Sequence, residues 1–124
     1  MKQFYSKPSL SMRDDRQRLT DILEAAKLLQ IFQRGRTRDD LNKDPLLCSA
    51  CLHQLFVIGE AATRLSQQLK DKYPAVPWRA ICGFRNFIAH EYFSLDSDII
   101  WETVTTDVPS LEMQIAEILS KAFP

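Results

Sequence analysis

An all-α, up-and-down bundle of four to five helices is the fold class that the sequence predicts, on three observations. Glycine is scarce, three residues in 124, where average usage would put about nine. Apolar residues recur at helical spacing and nowhere alternate as a strand would. Proline and glycine mark the breaks between the periodic stretches. A chain of 124 residues fills one domain with a single core, expected over residues 12–124. The opening MKQFYSKPSLS, residues 1–11, has Pro8 and no periodicity; it reads as a loose arm or the product of an upstream start, with Met12 the natural beginning of the domain.

From Arg13 the spacing Leu19, Ile22, Leu23, Ala26, Leu29 describes an amphipathic helix to about Arg34, with Asp14 and Asp15 near its positive end and Gly35 as its stop. RTRDDLNKDP is a charged connector with one helical turn around Arg38 to Asn42. Asp44 then caps and Pro45 opens a second long helix to about Lys70; proline at the first helical position loses no needed donor. Its first half is apolar nearly all round, which calls for packing on more than one side. Gly59, Ala61 and Ala62 keep its surface low enough for another helix to come close. KDKYPAVPW is a proline-bounded turn, and Trp78 opens a third helix to about Tyr92. Ile81, Ile88 and Ala89 fall on one side of it and Phe84 and Phe87 on another, so it is expected to be central. Asp96 or Ser97 caps a last helix over 97–122, disturbed at Pro109. Two-faced helices of this kind invite a homodimer.

The formal net charge is zero, which argues against a general nucleic-acid coat protein. Up to His90 there are fifteen Lys or Arg against nine Asp or Glu, and from Glu91 onward one Lys against seven acids. A basic front and an acidic tail either meet, within or between subunits, or are solvated surface. With no signal-peptide pattern and no long apolar run, nothing places the chain in a membrane, and a cytoplasmic protein is expected. Cys48, Cys51 and Cys82 make an odd count that disfavours a disulfide framework. Cys48 and Cys51 have CxxC spacing, but no second pair completes a four-ligand zinc site; they are metal or redox residues, or buried small apolar ones. No metal site and no cofactor are expected.

RNFIAHEYF, residues 85–93, carries the chemistry-bearing side chains. Charged groups on a packed helix must pair, reach water or line a cleft. One reading is a salt bridge from Arg85 to a carboxylate such as Glu60, a half-buried His90 and a Tyr92 whose hydroxyl meets water. The other is phosphodiester chemistry: histidine exchanges protons near neutral pH, and arginine is a permanent fork of donors matched to phosphate oxygens. In RNA the 2′-hydroxyl supplies the nucleophile, so a base, an acid and a cation suffice. At about 100° per residue, His90 lies roughly 140° from Arg85 round the helix, whereas Tyr92 returns to within about 20° of it. A distortion near His90, or a second copy of the chain, is then needed to bring histidine and arginine to one phosphate.

The segments MRDDRQRLTDILEAAKLL, VIGEAATRLS, YPAVPWRAICGFRNFIAHEYF and DIIWETVTTDVPSL resemble the HepT branch of the HEPN superfamily, ribonuclease toxins encoded beside a minimal MntA-type nucleotidyltransferase antitoxin. The resemblance covers about Met12 to Leu119. Its specific part is an Arg-x4-His-x-Tyr motif matched by Arg85, His90 and Tyr92, with Asn86 as the polar residue after the arginine. It implies an all-helical homodimer that cleaves RNA with Arg85 and His90 at the dimer cleft and is silenced by adenylylation of Tyr92. No cofactor is implied for this chain; ATP and Mg²⁺ belong to the partner nucleotidyltransferase. The chain departs from the family pattern at His53 and Gln54, where Arg-Asn is common. His53 is a surface or interhelix residue or a further cleft group, and Glu60 orients Arg85 or caps a polar pocket. The alternative is a non-enzymatic helical subunit that presents Tyr92, or a nucleotide-facing pocket, to a nucleotidyltransferase.

Overall fold

The structure, a computed structural model, describes residues 12–124, with the side chains of 12, 13 and 93 left aside. The expected arm over 1–11 lies outside the described residues. The order is α1 (Met12–Gln33), α2 (Arg38–Lys43), α3 (Pro45–Arg64), α4 (Gln67–Lys72), α5 (Trp78–Glu91), a 3₁₀ turn (Tyr92–Ser94), α6 (Ser97–Glu102), a π turn (Thr103–Asp107) and α7 (Val108–Ala122). No strand occurs among the described residues. α1 packs on α3 and α7, and α3 also packs on α5. Leu19, Ile22, Ala26 and Leu29 of α1 join Leu52, Leu55, Ile58 and Ala62 of α3, Ile115 and Ile118 of α7, and Ile100 and Val104 in one core.

Local sequence dictates most of the boundaries. Gly35 takes φ +72°, in the left-handed region that glycine reaches without strain, just past the end of α1. Thr37 and Asp40 form a reciprocal capping box at the start of α2, the helical turn expected there. The Asp44 carboxylate accepts from the N–H groups of Leu46 (3.1 Å) and Leu47 (3.2 Å), ahead of Pro45. Asp96 caps α6 by accepting from Asp98 N at 2.8 Å. Pro109 has no N–H and its ring would strike the carbonyl one turn back. The helix widens to π geometry just before it, the Val108 N–H reaching the Thr103 carbonyl, and chain direction is kept without a break.

Four expectations are corrected. The second long helix does not run to Lys70: it stops at Arg64, and a separate short helix follows. The cause is Asp15, which is 3% exposed and is no simple dipole charge at the start of α1. Its carboxylate accepts from Ser66 N (2.8 Å) and Ser66 Oγ (2.6 Å), while Ser66 Oγ accepts from Leu69 N. Ser66 therefore becomes the cap of α4, in extended backbone geometry, and a buried carboxylate is held at that helix's positive end. The third long helix is not central: α5 packs on α3 at the edge of the bundle, burying Trp78 and Ile88 and leaving Ala89 exposed. An apolar run is present after all, since α3 is long and apolar enough by composition to cross a membrane, with 44% of that stretch packed inside the bundle. Finally, regular α geometry ends at Glu91 (φ −119°, ψ 26°) and Tyr92 opens a 3₁₀ turn, so the 100° step that would bring Tyr92 over Arg85 does not extend to it.

Candidate active site at the α3–α5 edge

Arg85 reaches α3 because Gly59 lets it. A Cβ at position 59 would collide with the Arg85 Cβ and lie 2.9 Å from its Cγ and 3.2 Å from its Cα, so only glycine allows this approach. One residue on, Glu60 takes the guanidinium: Nε and Nη2 of Arg85 both lie against Glu60 Oε1. Nη1 donates to Asn86 Oδ1 at 2.6 Å. The guanidinium carbon stands 5.8 Å from the centre of the Phe56 ring, within reach of a cation–π contact. Arg64 Nε approaches the other Glu60 oxygen at 4.0 Å.

Glycine, glutamate and phenylalanine thus form a socket on α3 that holds one orientation of Arg85. The hold leaves an outer N–H on each terminal guanidinium nitrogen for a ligand. The arginine side chain is 31% exposed and the Glu60 side chain 29%, so the group is anchored but meets solvent.

The structure brings together three of the residues singled out from the sequence, Glu60, Arg85 and Asn86. It does not bring His90 to them. His90 is exposed one residue before the end of α5, and its side chain makes no hydrogen bond or ion pair among the described residues. Helical register keeps it well round the axis from Arg85, with Asn86 between the two. Tyr92 is 44% exposed at the start of the 3₁₀ turn, which Ser94 Oγ fastens to the Glu91 carboxylate at 3.1 Å. His53 is exposed on α3, and its spacing of three and seven residues from Phe56 and Glu60 puts all three on one helix face.

Phe56 and Arg64 were not singled out from the sequence. The available signal was their spacing of four residues on either side of Glu60, which places all three in one row of the helix. Cys51 is buried and its thiol is pushed up to about 11 by that burial and by the neighbouring Cys48; the Cys48 thiol is raised by burial too. A raised thiol disfavours the reactive thiolate, and both side chains pack as small residues in or against the core. Among the described residues no three His, Cys, Asp or Glu side chains converge as metal ligands.

Over residues 22–118 the chain matches the family described as Ribonuclease HepT-like. A protein of Caldanaerobacter subterraneus subsp. tengcongensis, provisionally named an RNase, is 39% identical over 110 residues, 89% of this chain and 98% of that one. A Methanocaldococcus jannaschii protein with the same provisional name is 37% identical over 107 residues, 86% of this chain and 88% of the relative. The Thermococcus cleftensis protein named a probable ribonuclease HepT is 34% identical over 100 residues, 81% of this chain and 91% of its own length. No solved structure matches the chain. The matched stretch runs from the first half of α1 into α7 and takes in Glu60, Arg85, His90 and Tyr92. The chain belongs to the HepT-like ribonuclease family.

Proposed function

We propose that this protein is a cytoplasmic endoribonuclease toxin that works without a metal ion, as a homodimer, with Arg85 and His90 as its catalytic residues. The observation that carries the reading is the socket. In a HepT-like chain, Gly59, Glu60 and Phe56 hold the motif arginine in one pose with donors left over, and the motif histidine is exposed five residues on.

The chemistry follows from these groups. His90 takes the proton from the RNA 2′-hydroxyl as O2′ bonds to phosphorus. The outer N–H groups of Arg85 hold the added charge on the phosphorane oxygens. The P–O5′ bond breaks and an acid returns a proton to O5′, leaving a 2′,3′-cyclic phosphate and a 5′-hydroxyl. Because His90 and Arg85 of one chain lie well apart round α5, a second copy supplies the missing group, with His90 of that copy as the acid.

The outer face of α5 supports such a pairing. Phe87 is 41% exposed and Ala80 is exposed, and nothing lies within 4 Å of where a Cβ on Gly83 would stand. An exposed glycine in mid-helix costs about 1 kcal/mol against alanine, a cost that close approach of another backbone explains.

Control would act through Tyr92. A MntA-type nucleotidyltransferase, using its own ATP and Mg²⁺, would join the tyrosine oxygen to the α-phosphate with loss of pyrophosphate and the phenolic proton. The adenylate anion would then compete for Arg85. The exposure of Tyr92 at a helix end suits access by an enzyme.

The test is RNA cleavage by the purified chain with and without chelator. Cleavage that persists in chelator, yields cyclic phosphate, and is lost in Arg85→Ala and His90→Ala is expected; strict dependence on Mg²⁺ would reject the mechanism. With the nucleotidyltransferase and ATP, wild type should gain adenylate and stop cutting. Tyr92→Phe should keep cutting. A folded wild type that never cuts RNA but binds the nucleotidyltransferase would make it a binding subunit instead.

A further inference from the structure

Beside the Arg85 socket, α4 and the start of α5 enclose an open cleft of about 650 Å³ whose lining includes Gln67, Lys70, Asp71, Trp78, Arg79 and Cys82. Its floor is firm: Trp78 is buried, and its ring N–H donates to the Tyr73 carbonyl at 3.0 Å. Its two cations, Lys70 and Arg79, are left without a carboxylate partner inside one cleft. Arg18, Arg36, Arg38, Lys43, Arg64, Arg85 and Lys121 each have a carboxylate within 4.0 Å. Lys70 and Arg79 form no ion pair and no side-chain hydrogen bond among the described residues. The acid in the cleft, Asp71, accepts instead from Gln67 at 2.8 Å.

Register ties this cleft to the site. Arg79, Asn86 and His90 follow one another at steps of seven and four, so they line one exposed strip of α5. That strip leads from the cleft past the residue that holds Arg85 to the motif histidine, over roughly 16 Å of helix. Lys70, Arg79 and Arg85 against Glu60 and Asp71 leave the path positive.

We infer that this cleft and strip form a backbone-binding track for the RNA strand, with Lys70 and Arg79 holding phosphates a few nucleotides from the one that is cut. The inference rests on the ribonuclease reading, and adds a substrate property: the protein favours a single strand long enough to reach from the Arg85 site into the α4–α5 cleft. Backbone contacts of this kind carry no base information, so the track contributes affinity and preference for length and none for sequence.

The test uses full-length Lys70→Gln/Arg79→Gln protein, with Lys27→Gln/Arg34→Gln as a control that removes two other unpaired cations. Binding of a labelled single-stranded RNA is measured by anisotropy across a salt series, in a His90→Ala background so that the strand survives. Each lost phosphate contact lowers the slope of log affinity against log salt by about 0.7 for a single strand, so the track variant should lose about 1.4 and bind several-fold more weakly. In the His90-containing protein the same pair should raise KM for a long RNA more than it changes kcat, and shrink the advantage of a long RNA over a dinucleotide. Equal losses in the control pair, or an unchanged slope in the track pair, would overturn the track while leaving the ribonuclease reading standing. If wild type neither binds nor cuts RNA, that reading fails and the track fails with it.

Discussion

Asp15 and Glu60 are both acids on long helices that reach to another segment of the chain, and they serve opposite ends. Asp15 is sealed in, and its oxygens are taken by one residue, Ser66, whose backbone they fix. Glu60 sits at the rim and holds a guanidinium that still faces water. A buried carboxylate fully used by backbone and hydroxyl donors is a folding device, because releasing it strands charge and donors in the interior. A rim pair that still meets solvent contributes little to stability; its value is the pose it imposes on a group with donors left over. One acid bends the chain, and the other aims an arginine.

The sharpest way to break that contrast is to remove the aimed arginine or the exposed histidine. Arg85→Ala and His90→Ala should each lower RNA cleavage by about a hundredfold or more, with unfolding midpoints in urea close to wild type. A variant that loses activity only because it is unfolded would put Arg85 in the same class as Asp15.

Next in size is Asp15→Ala. It should cost about 2–3 kcal/mol, read as a lower urea midpoint with unchanged slope, and the folded fraction should still cut RNA. Wild-type stability in this variant would mean that the α3–α4 bend is set locally and that the buried carboxylate is incidental.

The smallest stability effect should come from Glu60→Gln, about 1 kcal/mol or less. Its activity should nonetheless fall roughly tenfold, mainly in kcat, because Arg85 is held less firmly. If Glu60→Gln proves more destabilising than Asp15→Ala, the rim pair is structural and the contrast is wrong.

What the sequence determined by itself was whatever acts within a few residues. The capping box at Thr37, the caps at Asp44 and Asp96, the stop at Gly35 and the disturbance at Pro109 are settled by backbone groups and residues a few positions apart. Composition and spacing report such local effects directly. The all-helical class follows from the same periodicity, and the Arg85, His90 and Tyr92 spacing is visible in eight consecutive residues. Three matters were decided only by the tertiary structure. The end of α3 at Arg64 depends on Asp15, 51 residues from Ser66. The edge position of α5 depends on which of its two apolar faces found a partner inside the chain. The pose of Arg85 depends on Gly59 and Glu60, 26 and 25 residues earlier; a Glu60 partner and a close approach at Gly59 were expected from the sequence, and the fold decided that both meet at this arginine. Periodicity shows that a helix has a face to cover but not what covers it, because pairing across a long loop leaves no mark on local spacing.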